Sequence, residues 1–239
     1  MKRVTLALLA MAIAAPVSGQ APATPQDTRP GIAVLPFDNG GSYGRDKEDY
    51  AALQTGIPAV MIDELSRNPG ARVVDRETID NVLKEQDLGK NGRVDAATAA
   101  KVGKIVGARY MIAGTFIELA GKFKLTARII DVQTTEIVKS VSNDDAMMNP
   151  NDLFKIIQSV AGKLMTETKL PPLPAQVAEA AKAQNVPAQA LTLYSRALLY
   201  QDRGDKTKAV EYFSRAVTAA GGPGKYTPAD EGLKRMQQS

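Results

Sequence analysis

The chain predicts a mixed α/β fold of the α+β kind. A mixed sheet with an antiparallel C-terminal meander is covered by helices and followed by a small all-α region. Three observations carry this. Residues from Ala108 to Val141 alternate apolar and polar with period two and are broken by two turns. Segments with helical spacing and Asp at their starts precede that run. After the sequence LPPLP, Leu170 to Pro174, only helical spacing remains, rich in Ala with Tyr and Phe.

Taken in order, Ile32 to Phe37 is a short β-favouring run bounded by Gly31 and Asn39, which reads as a buried strand. DNGGSYGRDKED, Asp38 to Asp49, reads as a mobile loop. Its glycines invite a phosphate cradle, but the spacing matches neither the dinucleotide fingerprint nor the P-loop, and no Lys followed by Ser or Thr closes it. Leu53, Ile57, Val60, Met61 and Leu65 recur at helical spacing, predicting a helix to Ser66 with one apolar stripe. Pro58 lacks an amide hydrogen and is placed near the first turn of that helix. Asn68-Pro69-Gly70 ends it. Val73 and Val74 form the next strand. Asp75 caps a helix that lines up Ile79, Val82, Leu83 and Gln86 and stops at Gly89; Asp95 caps another with Ala99, Val102 and Val106 that ends at Gly107. Gly103 and the alanines of this last helix favour close packing on a sheet.

In the meander, Tyr110, Ile112, Gly114 and Phe116 share one face of the first strand. Ala120-Gly121-Lys122 turns the chain, and Phe123, Leu125, Ala127 and Ile129 return. Gln133-Thr134-Thr135 turns it again into Glu136 to Val141. Leu153, Ile156, Ile157, Val160, Leu164 and Met165 then predict an amphipathic helix starting at Asn151 or Asp152. The resulting unit of about 140 residues can hold its own core.

The prolines of LPPLP cannot continue a helix and stiffen the connection, marking a boundary. Beyond it, Ala197, Tyr200, Ala209, Phe213, Ala216 and the breaker Gly221-Gly222-Pro223 resemble one tetratricopeptide repeat, with Leu193 at the usual Trp position. A single pair cannot bury its own apolar face, so it must pack on Pro174 to Gln184, on the C-terminal segment, on the first domain or on another chain. Tyr194, Tyr200 and Phe213 are put forward as partner-binding residues. The expected organisation is a signal peptide over 1–20, a flexible leader over 21–29, an α/β domain over 30–170, a Pro-rich linker over 171–174 and a helical region over 175–239.

Lys2 and Arg3, the apolar stretch Leu6 to Ala15 and the small residues before Gln20 read as an export signal, which predicts a periplasmic protein. There is no Cys, so lipid anchoring, disulfides and thiolate chemistry are not expected, and there is no His. Without Lys2 and Arg3, 28 basic residues face 26 acidic ones, too even a balance to argue for nucleic acid. Asp75, Arg76 and Asp80, with Asp63 and Glu64 nearby, could be arranged for acid-base work, but capping and ion pairing account for them. Asp144 and Asp145 lack the further oxygen ligands a hard cation needs, and the Met147-Met148 pair offers too few for copper. The string from Gly114-Thr115 to Gly121-Lys122 lies on a hairpin and has the wrong spacing for phosphate. No catalytic residue, metal site or cofactor is expected.

GIAVLPFDN (Gly31 to Asn39), VVDR before a helix ending LKEQ, the AAKVGKIVGARYMIAGTF unit and the ARIIDVQTTEIV hairpin together resemble the periplasmic domain of the CsgG family. The resemblance fades after about Val141. It implies a non-enzymatic part of an outer-membrane secretion or envelope-assembly system, with envelope proteins as partners. Self-association and peripheral contact with the outer membrane stay open. The two long hairpins from which the family's best-known member builds its barrel are not visible here. A transmembrane strand needs about 9–11 alternating residues with aromatic girdles, whereas Glu118 to Phe123 is a tight turn. Three further readings remain: a ring-forming subunit of a curli-like export complex, an activator of cell-wall synthases, and, least favoured, a carboxylate-dependent envelope hydrolase.

Overall fold

The computed structural model describes residues 27–44, 46–86, 95–145, 148–168 and 173–238. The expected signal peptide, most of the leader, Gly89, Met147 and Leu170 to Pro172 lie outside the described residues. The order is β1 (Gly31–Val34), β2 (Asp38–Asn39), α1 (Lys47–Ser66), β3 (Arg72–Val73), α2 (Arg76–Glu85), α3 (Ala96–Val106), β4 (Tyr110–Leu119), β5 (Lys122–Asp131), β6 (Ile137–Ser142), a 3-10 turn (Pro150–Asp152), α4 (Leu153–Glu167), α5 (Ala175–Ala183), α6 (Ala188–Asp202), α7 (Lys206–Ala219) and α8 (Thr227–Gln238). No helix among the described residues is long and apolar enough to cross a membrane.

The six strands form one mixed sheet in the order β3-β1-β4-β5-β6, with β2 also paired to β4. β1 runs parallel to β3 and β4; β4, β5 and β6 form the antiparallel meander. Its first turn needs positive φ at both central positions, and Ala120 and Gly121 sit at 51° and 72°. Asp75 and Asp95 cap α2 and α3 through the amides of Thr78 and Thr98, and Gly107 ends α3 at a φ of 66°. α4 begins at Leu153 with Asp152 at its N-cap position, as expected, and is led in by the 3-10 turn that Asn149 caps.

Period two divides the core. Ile112 and Phe116 of β4 with Phe123, Leu125, Ala127 and Ile129 of β5 face α1 and α4. Met111, Ala113 and Ile130 face α2 and α3 through Ile79, Leu83, Ala99 and Val102. The C-terminal helices join the first cluster: α6 packs along α1, α7 on α6 and α8 on α7. The layers therefore run α2/α3, sheet, α1/α4, α6/α7/α8.

Three features differ from the sequence reading. Pro58 lies deep inside α1, because the helix begins at Lys47 under the Asp46 cap. A proline cannot bond the carbonyl four residues back, and here the freed Gln54 carbonyl accepts the Phe37 amide at 3.0 Å, tying the helix to the end of the first strand. The Asp38 to Asp49 segment is largely pinned: Asp38 and Asn39 pair with Thr115 and Phe116, and the amides of Gly40 and Tyr43 donate to the carbonyls of Phe116 and Glu118 at 2.8 and 3.2 Å. Finally, α1 buries a second face. Ala52, Gly56 and Ala59 are buried beside the predicted stripe, and a Cβ on Gly56 would stand 1.8 Å from the Ser195 hydroxyl of α6.

Gly114 allows the Phe37 ring to lie against β4, where a Cβ would meet ring atoms at 1.9–2.3 Å. Gly114→Ala is expected to lower unfolding stability by about 1–3 kcal/mol through overpacking, read as a lower urea midpoint with an unchanged slope.

Candidate functional site

Of the two sheet edges, β3 is two residues long, whereas β6 is open over Ile137 to Ser142. The Asn143 amide donates to Leu125 at 3.2 Å and the Asp131 amide to Glu136 at 3.0 Å. Counting from these two bonds through the bulge at Ile129/Ile130, the antiparallel alternation turns the backbone N–H and C=O of Ile137, Ser140 and Ser142 away from β5. Lys163 of α4 covers the Ser142 carbonyl at 2.8 Å. Ile137 and Ser140 remain as the open stretch, with Ile137 and Val138 each 49% exposed.

The sheet face beside this edge is half covered. α2 and α3 reach Met111, Ala113 and Ile130 but not the outer half of the β4–β5 hairpin, where Ile117 and Leu119 stay exposed beside Lys122 and Lys124; Arg128 lies further in, between Ala113 and Ser140 of β6. Lys124 pairs with Asp145 at 3.2 Å. Lys122 and Arg128 have no carboxylate partner among the described residues. The strip offers an extended edge, apolar side chains and positive charge.

The aromatic residues put forward from the sequence are all buried. Tyr194 and Phe213 sit together, ring centroids 6.0 Å apart, with Tyr226 edge-on to Tyr194 at 5.2 Å. Phe213 packs against Gly232 of α8, where a Cβ would meet its ring at 2.3 Å. Tyr200 stacks on Tyr212 at 5.3 Å and its hydroxyl donates to Glu48 at 2.7 Å. Next to it, Arg196 reaches Asp49 at 2.6 Å, Glu48 at 3.3 Å and the Tyr212 hydroxyl at 3.0 Å. This network fastens α6 and α7 to the acidic first turn of α1. Sequence reading missed it because its partners lie about 150 residues apart in the chain.

Of the carboxylates weighed as acid-base candidates, the fold brings Asp63 and Asp75, with Arg76, to one recess of about 270 Å³, and all but Asp63 have structural partners. Asp75 accepts from the amide and hydroxyl of Thr78 at 2.8 and 2.7 Å; Arg76 bridges Asp80 at 2.7 Å and Asp202 of α6 at 2.8 Å. Glu64 faces Arg67 at 3.3 Å, and Asp144 pairs with Lys163 at 2.7 Å. No group of three or more metal-ligating side chains occurs among the described residues. Asp63 differs. It points into a recess of about 410 Å³ between α1, α6 and α8, lined also by Arg67, Gln184, Tyr194, Glu231 and Arg235. Burial first, and then the neighbouring Glu64, push its carboxyl up from 3.8 to about 7.

An acid whose folded pKa is raised keeps its proton in the folded state while the unfolded chain releases it. Stability from this group is thus full below about pH 4 and lost as pH rises through about 7. Asp63→Asn is expected to remove that decline: between about pH 5 and about pH 8 its urea midpoint should gain on the parent's, and parallel curves would contradict the assignment.

The family described as curli production assembly/transport component CsgG matches residues 13–124. The ARIIDVQTTEIV hairpin, Ala127 to Val138, falls beyond that match. No curated protein matches the chain. Among solved structures, the LpoB C-terminal domain from Escherichia coli is 17% identical, covering 47% of this chain and 79% of that one at a TM-score of 0.36. Lipoprotein GNA1162 from Neisseria meningitidis is 17% identical over 57% of this chain and 98% of its own, at 0.39. A PelC dodecamer from Paraburkholderia phytofirmans is 14% identical over 60% and 90%, at 0.34. The match to that family model runs from residue 13 to Lys124 in β5, just under half of the chain.

Proposed function

We propose that the protein is a non-enzymatic, periplasmic binding module of the bacterial envelope, acting in outer-membrane secretion or envelope assembly by accepting an extended segment of a partner protein along β6. The open backbone of Ile137 and Ser140 carries the reading, since an unpaired edge is a template for an added strand. The family match supports the secretion and assembly context. Arg128, which lies opposite Ser140 and lacks an acidic partner among the described residues, favours a segment bearing carboxylates, and the exposed Ile137 and Val138 offer it apolar contact. In this reading Tyr194, Tyr200 and Phe213 serve binding indirectly, by holding α6 and α7 on α1. The structural engagement of Asp75, Asp80 and Glu64 supports a role without bond chemistry.

The test is photo-crosslinking in the periplasm from a probe at Ile137, with Ile105, exposed on α3, as control. Ile137 is expected to capture a distinct envelope protein and Ile105 not. Ser140→Pro removes an outward amide without breaking a bond to β5, so the fold should persist while capture drops about tenfold. Undiminished capture would contradict edge pairing. A product made only of two copies of this chain would replace it with the ring-subunit reading.

A further inference from the structure

The recess at Asp63 is independent of β6 and holds unsatisfied polar groups. Asp63 Oδ2 is buried without a hydrogen-bond partner among the described residues, as is the Tyr226 hydroxyl packed behind the recess beside Tyr194, whereas Arg67 Nε is turned to Glu64 at 3.3 Å. Native interiors rarely leave such groups unpaired. Tyr194 is 6% exposed, yet it lines both this recess and a second one of about 270 Å³ that shares Asp63 and Arg235. Its hydroxyl also has no hydrogen-bond partner among the described residues.

Local pairing does not explain Asp63. Arg67, one helical turn on, turns away to Glu64 at 3.3 Å and to the Gln184 side chain at 2.5 Å. Arg76 in the adjoining recess is taken by Asp80 and Asp202. Arg235 and Glu231 stand at the rim on α8, four residues apart, and neither has an ion-pair partner among the described residues. The recess therefore combines an acidic floor with a rim that carries both charges.

We propose that this recess between α1, α6 and α8 binds a small zwitterion of the amino-acid type. The ammonium group lies against Asp63 and the Tyr194 hydroxyl, and the carboxylate meets Arg235 at the rim. An ammonium supplies the donors that Asp63 Oδ2 lacks; a carboxylate supplies the acceptor for the Arg235 guanidinium. Glu231 adds attraction for the ammonium. The fit needs both ends of the ligand, so neither a simple amine nor a simple acid should substitute for it. Arg235 of α8 and Asp63 of α1 close on the same molecule, so binding also holds the last helix against the first.

Asp63 faces Glu64 and Arg67 on α1, Arg76 on α2, Tyr194 on α6, and Tyr226, Glu231 and Arg235 at and within α8. Since burial raises its carboxyl, ionising it for an ammonium becomes easier as pH rises, and affinity should increase from about pH 6 to about pH 8.

The test is a nitrogen-proton NMR titration of the full chain with each standard L-amino acid and with glycylglycine, using methylammonium and acetate as half-ligands. At least one zwitterion is expected to give saturable shifts at the amides of Tyr194, Tyr226 and Glu231, binding at least about tenfold more tightly than either half-ligand. Asp63→Asn and, separately, Arg235→Gln are expected to weaken it about tenfold or more with the spectrum otherwise preserved, and Asp63→Asn to flatten its pH dependence. The absence of saturable shifts with every zwitterion would overturn the proposal. So would equal binding by Asp63→Asn, or binding by acetate alone as tight as by any zwitterion. Partner capture at β6 reads out separately, so failure of one site is distinguishable from failure of the other.

Discussion

The burial of α1 on two opposite sides is the constraint on which the other parts depend. One side, with Leu53, Ile57, Met61 and Leu65, fills the space over the sheet. The other, with Ala52, Gly56 and Ala59, is narrow enough for α6 to approach until Gly56 and Ser195 touch. Small residues let two helices come close, and the close approach in turn multiplies dispersion contacts. Charged groups then fix the register. Arg196 and Tyr200 reach Glu48 and Asp49 at the start of the helix, and Arg67 reaches Gln184 near its end. Because α1 is shared, the C-terminal helices complete a core that already includes the meander.

This arrangement also explains where the molecule is left open. α1 and α4 cover one sheet face, and their outer side is closed by α6 to α8. The other face receives only the short helices α2 and α3, which shield its inner half. Among the described residues the distal half of β4–β5 and the edge of β6 remain uncovered; Lys122 and Lys124 lie in the first, and Lys139 is on the edge strand itself with Arg128 beside it on β5. Charge on an edge is a common guard against indiscriminate strand pairing. It also selects for an acidic partner segment. At the opposite side of the α1 layer, the same helix that packs through Gly56 carries Asp63 about two turns further on, into a recess that α8 closes.

Much of the fold was legible because it rests on local patterns. The meander announced itself through alternation and through Ala120-Gly121. Asp75, Asp95 and Gly107 marked helix ends by chemistry that acts within a few residues. What sequence reasoning missed depends on distant groups. Pro58 was assigned to a first turn because a proline inside a helix forfeits a bond, and nothing local shows that the Phe37 amide takes the freed Gln54 carbonyl. Ala52, Gly56 and Ala59 carry too little hydrophobicity to register as a second buried stripe. β2 is two residues long and exists only through its pairing with β4. For the candidate sites, the open edge could be read only once strand order was known. Tyr194, Tyr200 and Phe213 were put forward for partner binding; their inward packing, and the isolation of Asp63 among the candidate carboxylates, follow from tertiary placement alone.

The sharing of α1 between the sheet and the C-terminal helices is tested most directly by amide exchange of the full chain in rising, sub-denaturing urea, following α1, β5 and α6 separately. A shared helix predicts that slowly exchanging amides of all three merge into one unfolding isotherm, with the same free energy and the same slope. If α6 and α7 instead opened with a distinctly smaller slope while α1 and β5 kept full protection, the helix would be buried by the sheet alone and the account would be wrong.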